Sequence, residues 1–439
     1  MDAPDATTSA PVTAALAGHE HRPVTGRETT MQAIVQDRYG SADVLELADI
    51  DRPVPAGNEV LMQVQAAGVY RGDWHVMTGL PYLIRVVVQP ALGLRKPKTP
   101  VLGMDVAGRV EAVGGKVTRF RPGDEVFGWC DGSFAEYASA PEDQLAAKPA
   151  NLSFEQAAAV PISGFAALQA LRDAGEIQAG QKVLIIGAAG AVGSFGVQLA
   201  KAFGAQVTGV ASTTQADLVR STGADEVIDY TRADPTDGSR HWDLIIDTAG
   251  RRPLSQLRRA LTPKGTLVIV GGEGGGRWMG GFLRNLRAPV LSRFAGQRLR
   301  MLASTENQED LQTLGELLEA GKLTPRIGRT YPLGEVRGHA GARSRQHSRQ
   351  DRHHRLRRRP LRKPRSPVSG ATWEWAGRPF QHGLRRRGRG RTAVPRPAAD
   401  DLVQAEVPPV VVRLELGTAA LHQPGMDLPD PDERQLPVR

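Results

Sequence analysis

The chain has 439 residues, enough for two domains with additional segments. Its formal net charge of +9 comes from one end of the chain: residues 337–439 hold 22 Lys and Arg against 10 Asp and Glu. The preceding residues hold 34 basic and 37 acidic side chains. The overall charge therefore does not indicate that residues 1–336 bind nucleic acid. A single cysteine, Cys130, excludes an internal disulfide and a zinc site of four cysteines, and it favours a reducing, cytoplasmic compartment.

The first 30 residues are small and polar, and they lack the apolar centre of a secretory signal. We therefore predict a disordered leader over residues 1–30. No apolar run in the chain approaches the roughly 20 residues of a membrane-spanning helix, so we expect no membrane span.

Residues 31–157 contain many short apolar or alternating runs separated by Gly, Pro and Asp, a pattern typical of strands and turns. This pattern predicts an all-β region, folded as a distorted barrel. The predicted strands cover residues 31–35, 59–69, 106–114, 124–129 and 134–140.

Residues 158–300 alternate buried-type strands with helices, which predicts a doubly wound parallel sheet of the α/β class. One more amphipathic helix, at 309–323, belongs to a return segment over residues 301–336. The predicted strands are 182–187, 206–212, 226–230, 243–250 and 266–272, and the helices between them are 191–204 and 213–223.

Three glycines, Gly187, Gly190 and Gly193, follow the first strand of this region and precede its first helix. Glycines at this spacing permit a tight turn, the close approach of a pyrophosphate, and close packing of the helix on the strand. The helix N-terminus then offers free N–H groups to the phosphates. The segment 187–193 is therefore the predicted dinucleotide-binding turn.

The end of the second strand, at Ser212 and Thr213, predicts which dinucleotide is used. An NAD-selective site usually has Asp or Glu at this point, to bind the ribose 2′-hydroxyl. The neutral Ser-Thr pair removes the repulsion that a 2′-phosphate would meet, although no Arg or Lys stands immediately beside it. This favours NADPH over NADH and leaves NADH open.

Seven segments, in order across both regions, resemble medium-chain dehydrogenase/reductases, and most closely the zinc-free quinone oxidoreductase branch that includes zeta-crystallin-like and reticulon-interacting-protein-like members. The resemblance covers residues 31–336. It implies a GroES-like β-barrel catalytic domain at 31–157 and a Rossmann domain at 158–300. The segments are 66–79, 101–114, 119–128, 134–138, 155–171, 182–193 and 223–230.

The resemblance also implies positions for the cofactor. The pyrophosphate is expected at Ala189, Gly190, Ala191 and Val192. Ser212 is expected on the side of the 2′-phosphate, and Tyr230 at the adenosine. Gly271 is expected near the nicotinamide. Thr248, in the predicted strand 243–250, completes the predicted cofactor site.

Zinc relatives of this family place a Cys where this chain has Tyr70-Arg71, and Gly-His-Glu where it has Gly103-Met104-Asp105. Met and Asp do not replace His and Glu as that ligand set, so we predict no zinc.

Tyr70 and Asp73 are the candidate catalytic residues. A phenol at Tyr70, where quinone reductases often have Asn, can donate a hydrogen bond to a carbonyl or quinone oxygen. The alternative for Tyr70 is a packed residue at the end of a strand. Asp73 is either a pocket carboxylate or an orienter of the site, or else the N-cap of a helix.

After Val336 the apolar periodicity stops, and Arg, Pro and Gly dominate. A one-base shift of the codons from Arg337 onward permits the ending that the family has at this point. We therefore hypothesise that residues 337–439 are out of frame and largely disordered, so that the catalytic domain lacks its last helix and strand. The alternative is a real Arg-rich tail that binds nucleic acid or acidic membranes.

Together these features predict a zinc-independent, NADPH-dependent oxidoreductase that acts on a small-molecule quinone or enone. We expect a homodimer that has no specific nucleic-acid partner. Two alternatives stay open: an enzyme resembling NAD(P)-dependent alcohol dehydrogenases, and a nucleotide-binding protein that lost turnover with its C-terminal ending.

Overall fold

The structure is a computed structural model that describes residues 29–87, 92–271, 296–336 and 410–414. Its strands are β1 Thr30–Val35, β2 Glu46–Asp51, β3 Glu59–Val69, β4 Asp105–Val113, β5 Glu125–Trp129, β6 Tyr137–Pro141, β7 Leu145–Ala147, β8 Lys182–Ile186, β9 Gln206–Ala211, β10 Glu226–Asp229, β11 Trp242–Asp247, β12 Leu261–Ile269, β13 Arg298–Met301, β14 Arg329–Pro332 and β15 Val410–Arg413. Its helices are α1 Arg71–Thr78, α2 Tyr82–Val87, α3 Phe154–Ala158, α4 Pro161–Gln169, α5 Ala191–Ala202, α6 Ala216–Ser221, α7 Leu254–Arg259 and α8 Gln308–Glu319.

The N-terminal half is rich in strands, but the prediction that residues 31–157 are all-β is wrong, because α1 and α2 lie within them and α3 begins there. A seven-stranded sheet has the order β14-β15-β3-β4-β5-β7, and β6 pairs with β3, while β1 and β2 form a separate antiparallel pair. Strand β3 matches the predicted bounds because apolar residues fill most of this stretch and most of them are buried.

The strand β15 corrects one expectation. Val410–Arg413 pairs antiparallel with β3 and parallel with β14, and Val411 is fully buried. The prediction that the catalytic domain lacks a closing strand is therefore wrong for this edge. Residues 1–28, 337–409 and 415–439, with most of the predicted leader and tail, lie outside the described residues.

The second half forms a six-stranded sheet in the order β10-β9-β8-β11-β12-β13, and every strand pair in it is parallel. From β8 the chain adds β9 and β10 on one side of the sheet. It then crosses to the other side of β8 and adds β11, β12 and β13. This is the strand order of a dinucleotide-binding sheet, whose switch point lies between β8 and β11. The predicted α/β fold with a doubly wound parallel sheet is confirmed.

One predicted helix differs from the structure. The segment 213–223 was expected to be helical throughout, but it begins with a 3₁₀ turn at Thr213–Gln215 and continues as α6. In this turn the Ser212 hydroxyl bonds to the Thr214 hydroxyl, and the Thr213 hydroxyl donates to Asp229. Gly223, at φ +97°, ends the segment as expected.

The two sheets are joined by buried contacts at helix α4. Trp129 of β5 packs edge-on against Phe165, with 5.3 Å between ring centroids. The buried Asp105 carboxylate of β4 accepts a 2.8 Å hydrogen bond from the Ile162 backbone N–H, in the first turn of α4. A carboxylate at this point satisfies an N–H that the helix leaves unpaired. In the described ranges no helix is long and apolar enough to cross a membrane.

Candidate active site

The predicted cofactor residues come together along one edge of the parallel sheet. Strands β8, β9, β11 and β12 point the same way, so the residues that follow them meet at their carboxyl ends. Open α/β sheets bind ligands in the crevice at this edge. The residues brought there are Gly187 after β8, Ser212 after β9, Thr248 after β11 and Gly271 after β12.

The glycine turn has the conformation that its spacing predicts. Gly187 has φ +83°, which L side chains rarely adopt, and its carbonyl accepts a 3.0 Å hydrogen bond from the Gly190 N–H. A Cβ on Gly193 would lie 2.1 Å from the Gly187 carbonyl oxygen. The third glycine therefore permits α5 to pack directly on the turn, as expected.

Helix α5 begins immediately after Gly190, its N-cap, which has extended φ and ψ angles of −75° and 173°. The first helical residues are Ala191, Val192 and Gly193, and Ala189 before them is buried. Short apolar side chains leave the backbone N–H groups of this turn accessible to a ligand. The arrangement can hold a pyrophosphate.

Thr248 and Gly271 adjoin this turn. The Thr248 hydroxyl donates to the Ile186 carbonyl over 2.8 Å, so the threonine fastens the end of β11 to the end of β8. A Cβ on Gly271 would lie 2.1 Å from the Thr248 carbonyl oxygen. Gly271 is therefore required for backbone packing at the position that the resemblance assigns to the nicotinamide.

A set of polar side chains surrounds Ser212 and Thr213, and we call it the adenosine ledge: Ser212, Thr213, Asp229, Thr231 and Arg232. The Thr213 hydroxyl donates to Asp229 Oδ2 over 2.5 Å, and the Thr231 hydroxyl donates to Asp229 Oδ1 over 2.7 Å. Arg232 Nε lies 3.5 Å from Asp229 Oδ2.

Asp229 and Arg232 could not be identified from the sequence, because they lie at the end of β10 and just after it, whereas Thr213 follows β9. The register of β9 with β10 pairs Ala211 with Asp229 and so brings them together. Partial burial acts to raise the pKa of Asp229, but the hydrogen bonds from Thr213 and Thr231 outweigh it and lower the pKa. The ledge therefore contains two charged groups of opposite sign, the Asp229 carboxylate and the Arg232 guanidinium.

Tyr230 lies next to the ledge but is packed inward. It is 7% exposed and belongs to the core cluster with Leu184, Ile186 and Val210. Its backbone N–H donates to the Ala211 carbonyl over 3.1 Å. Its predicted contact with adenosine stays a prediction, and the burial supports a packing role beside it.

The candidate catalytic residue Tyr70 lies between β3 and α1. Its hydroxyl donates to the Met104 sulfur over 2.9 Å, which is a weak acceptor. A Cβ on Gly72 would lie 2.1 Å from the Tyr70 ring, so that glycine provides the space for the phenol. A carbonyl oxygen that entered here would be a better acceptor than the thioether.

Burial, and then a ring of carboxylates, raises the pKa of Tyr70 well above its usual value. The phenol therefore remains protonated and able to donate. One of these carboxylates, Glu306, follows β13, so the parallel-sheet region also contributes to the electrostatics of Tyr70. The carboxylates that contribute are Asp73, Asp105, Glu306 and Asp131.

Asp73 is buried, and its Oδ2 accepts a 2.9 Å hydrogen bond from the Tyr70 backbone N–H. It is the third residue of α1, so the expectation that Asp73 is the N-cap is wrong by position: Tyr70 is the N-cap, and Asp73 reaches back to it. Asp73 therefore holds the backbone of Tyr70, and its functional role as a pocket carboxylate or an orienter stays a prediction.

An apolar cavity of about 40 Å³ lies beside Tyr70 and Asp73. Its walls come from distant parts of the chain, including Val69 on β3, Phe134 before β6, and Val412 on β15. The closing strand thus forms part of the wall next to the candidate catalytic tyrosine.

The donor set at the family's zinc position does not fit a zinc ion. The Met104 sulfur accepts a hydrogen bond from the Tyr70 hydroxyl. The Asp105 carboxyl group faces the α4 backbone and accepts a hydrogen bond from the Ile162 N–H. Burial raises the pKa of Asp105 well above its usual value despite that hydrogen bond. Zinc in proteins is held by thiolate, imidazole or carboxylate ligands, and a thioether is not one of them. Among the residues that the structure describes, no group of three or more His, Cys, Asp or Glu could hold a metal.

Two family profiles match the chain. Residues 56–150 match the alcohol dehydrogenase GroES-like domain, and residues 222–347 match the profile described as zinc-binding dehydrogenase. They correspond to the β-rich domain and to the later part of the parallel sheet.

Individual proteins match over most of the chain. Quinone oxidoreductase of Sus scrofa is 35% identical over 317 residues, which are 69% of this chain and 91% of that protein. The NAD(P)H oxidoreductase RTN4IP1, mitochondrial, of Mus musculus is 31% identical over 72% of this chain and 88% of its own length. The solved quinone oxidoreductase structure from Coxiella burnetii superposes with a TM-score of 0.62 at 30% identity, and it covers 74% of this chain and 96% of that one.

Proposed function

The chain belongs to the medium-chain dehydrogenase/reductase superfamily and is an NAD(P)H-dependent oxidoreductase, and we propose that it uses NADPH, without zinc, to reduce quinones or α,β-unsaturated carbonyls. One observation carries this proposal: the buried phenol of Tyr70 is kept protonated by its raised pKa, and among the described residues its acceptor is a thioether, that of Met104. The relatives named quinone oxidoreductase support the substrate class.

The chain's own residues would hold the dinucleotide through backbone groups. The N–H groups at the start of α5 would bind the pyrophosphate, and Gly193 and Gly271 would keep the edge free of side chains. When bound, the nicotinamide supplies the hydride. The protein's part is to position that donor and to shield it from water.

Tyr70 would stabilise the negative charge that develops on the substrate oxygen. A hydrogen-bond donor that is already oriented costs no reorganisation when the charge appears. Asp73 holds the backbone of Tyr70, and the raised pKa keeps the hydroxyl protonated across the neutral range. The Asp105 position, turned toward α4, supports a reaction in which no zinc takes part.

The proposal is tested by NADPH oxidation against a panel of quinones and enones. For Tyr70→Phe we expect kcat to fall about a hundredfold, because one donor to a developing oxyanion is lost, with the NADPH dissociation constant unchanged. The control is Tyr137→Phe, which removes a phenol that accepts only from Gln63 in the same sheet, and kcat should stay at the wild-type value. A chain that binds NADPH yet oxidises it with no acceptor would contradict the proposal and favour the nucleotide-binding alternative.

A cytoplasmic location and a homodimer are parts of the same proposal. What supports the location is the cysteine count: the chain has one cysteine, Cys130, and so forms no internal disulfide. Light scattering on the eluted protein tests the dimer, and imaging of the tagged protein in its own cells tests the location.

A further inference from the structure

The adenosine ledge contains a cation that the proposed mechanism has not used. Arg232 follows β10, and its side chain is 77% exposed. Its ion-pair partner is Asp229, whose side chain is 17% exposed and faces the end of β9. Through Asp229 the guanidinium lies near the end of β9, which is where a dinucleotide-binding sheet places the adenosine ribose.

Two contacts in series connect Arg232 to the end of β9. Arg232 Nε lies 3.5 Å from Asp229 Oδ2, and the same oxygen accepts a 2.5 Å hydrogen bond from the Thr213 hydroxyl. Thr213 is also 3.1 Å from the Thr231 hydroxyl. Hydroxyls and a guanidinium therefore converge on one small area of the surface.

These groups have the chemistry of a phosphate site. The three residues that follow β9 are Ser212, Thr213 and Thr214, so this segment provides hydroxyl donors but no charge. A 2′-phosphate needs a cation as well, and a guanidinium can bind two of its oxygens at once. Without such a cation, the Asp229 carboxylate would repel the phosphate.

We propose that Arg232 determines the specificity for NADPH by pairing with the 2′-phosphate beside the Thr213 hydroxyl, a role that rests on the proposed use of NADPH. Asp229 holds the guanidinium at the end of β9 until the phosphate binds. Arg232, which follows β10, thereby supplies the positive charge that the segment after β9 lacks.

The test compares dissociation constants for NADPH and NADH, measured by fluorescence quenching. For Arg232→Gln, NADPH should bind about tenfold more weakly or worse, because a charge-assisted contact is lost, while NADH binding should not change. Arg232→Lys should keep part of the preference for NADPH, since the charge remains. The matched control is Arg240→Gln: Arg240 pairs with Glu226 over 2.5 Å at the opposite end of β10.

A second probe removes the nicotinamide from the comparison. Adenosine 2′,5′-bisphosphate should compete with NADPH more strongly than 5′-AMP in the wild-type protein, and this difference should disappear in Arg232→Gln.

The outcomes separate the two proposals. If the wild-type protein prefers NADPH and Arg232→Gln keeps the full preference, the role of Arg232 is wrong and the proposed function stands. If Arg232→Gln weakens NADPH and NADH equally, or if Arg240→Gln has the same effect, Arg232 does not read the 2′-phosphate. A wild-type protein that binds NADH at least as tightly as NADPH overturns both the cofactor choice and the role of Arg232.

Discussion

The two sides of the candidate site are built in different ways. The nucleotide edge comes from one continuous stretch, from Gly187 to Gly271, and it consists of strand ends, a glycine turn and backbone N–H groups. The Tyr70 side is assembled from separate segments, including residues 69–77, 102–134 and 410–412, and its properties come from buried side chains.

This difference determines how each side can fail. At the nucleotide edge the requirement is that certain positions carry no side chain, so adding one methyl group is damaging. On the Tyr70 side the requirement is that distant segments pack together and that carboxylates stay in place, so a change far along the chain is felt there. The following predictions test that contrast, from the largest expected effect to the smallest.

The largest effect is expected at the closing strand. Val411 is fully buried between β3 and β14, so Val411→Asp should lower the free energy of unfolding by about 3 kcal/mol or more, because it buries a carboxylate without a partner. Urea denaturation measures this change. Arg413→Gln, on the exposed end of the same strand, is the control and should stay within about 0.5 kcal/mol of wild type. Equal effects would show that β15 does not lie in the sheet.

The next effect concerns the glycine turn. Gly193→Ala should cost about 1–3 kcal/mol of stability and abolish NADPH binding, because its Cβ would lie 2.1 Å from the Gly187 carbonyl oxygen. Gly196→Ala, one turn along α5, is the matched control: its Cβ would be 3.5 Å from Ile185 and should stabilise the helix by about 0.5–1 kcal/mol. Denaturation and cofactor titration of both variants check this. NADPH binding retained by Gly193→Ala would contradict the backbone account of this edge.

The smallest effect is the dependence of stability on pH at Asp105. Burial raises the pKa of Asp105 in the folded chain, against the hydrogen bond from Ile162, so the folded state binds this proton more tightly than the unfolded state. Its contribution is therefore full below the pKa of an unfolded Asp, about 4, and is lost as pH rises through the folded pKa. Asp105→Asn should remove this loss, so that the variant gains stability relative to wild type as the pH increases.

Asp225→Asn is the comparison from the other domain. Burial opposes ionisation of Asp225, but the hydrogen bonds from Lys201 and the Val207 N–H prevail, and its pKa is lowered. Its stabilisation is therefore present above the unfolded pKa and is lost as pH falls through the folded pKa, the opposite sign to Asp105. If both variants change with pH in the same direction, the assigned cause for Asp105 is wrong.

The translation frame of residues 337–439 stays a hypothesis. The structure describes residues 410–414 from this segment and pairs Val410–Arg413 with β3 and β14, because three successive valines suit a buried strand. This pairing concerns the residues as written and does not test the frame of the gene. Re-sequencing the locus decides it: a confirmed frame that encodes these residues as written would overturn the hypothesis.

The sequence alone was sufficient for what depends on neighbouring residues. Apolar runs bounded by glycine predicted the parallel strands, since the period of a strand and the spacing of a turn are local properties. The three glycines predicted the tight turn between β8 and α5 for the same reason. Motifs in order along the chain were enough to recognise the family.

Only the tertiary structure decided which distant groups share a surface. The pairing of β9 with β10 brings Asp229 and Arg232 to Thr213, and the closing strand comes from residue 410 to cover β3. The pKa of Tyr70 is raised by burial and then by carboxylates from separate segments of the chain. Electrostatic and packing energies depend on distance in space, and a single sequence does not state those distances.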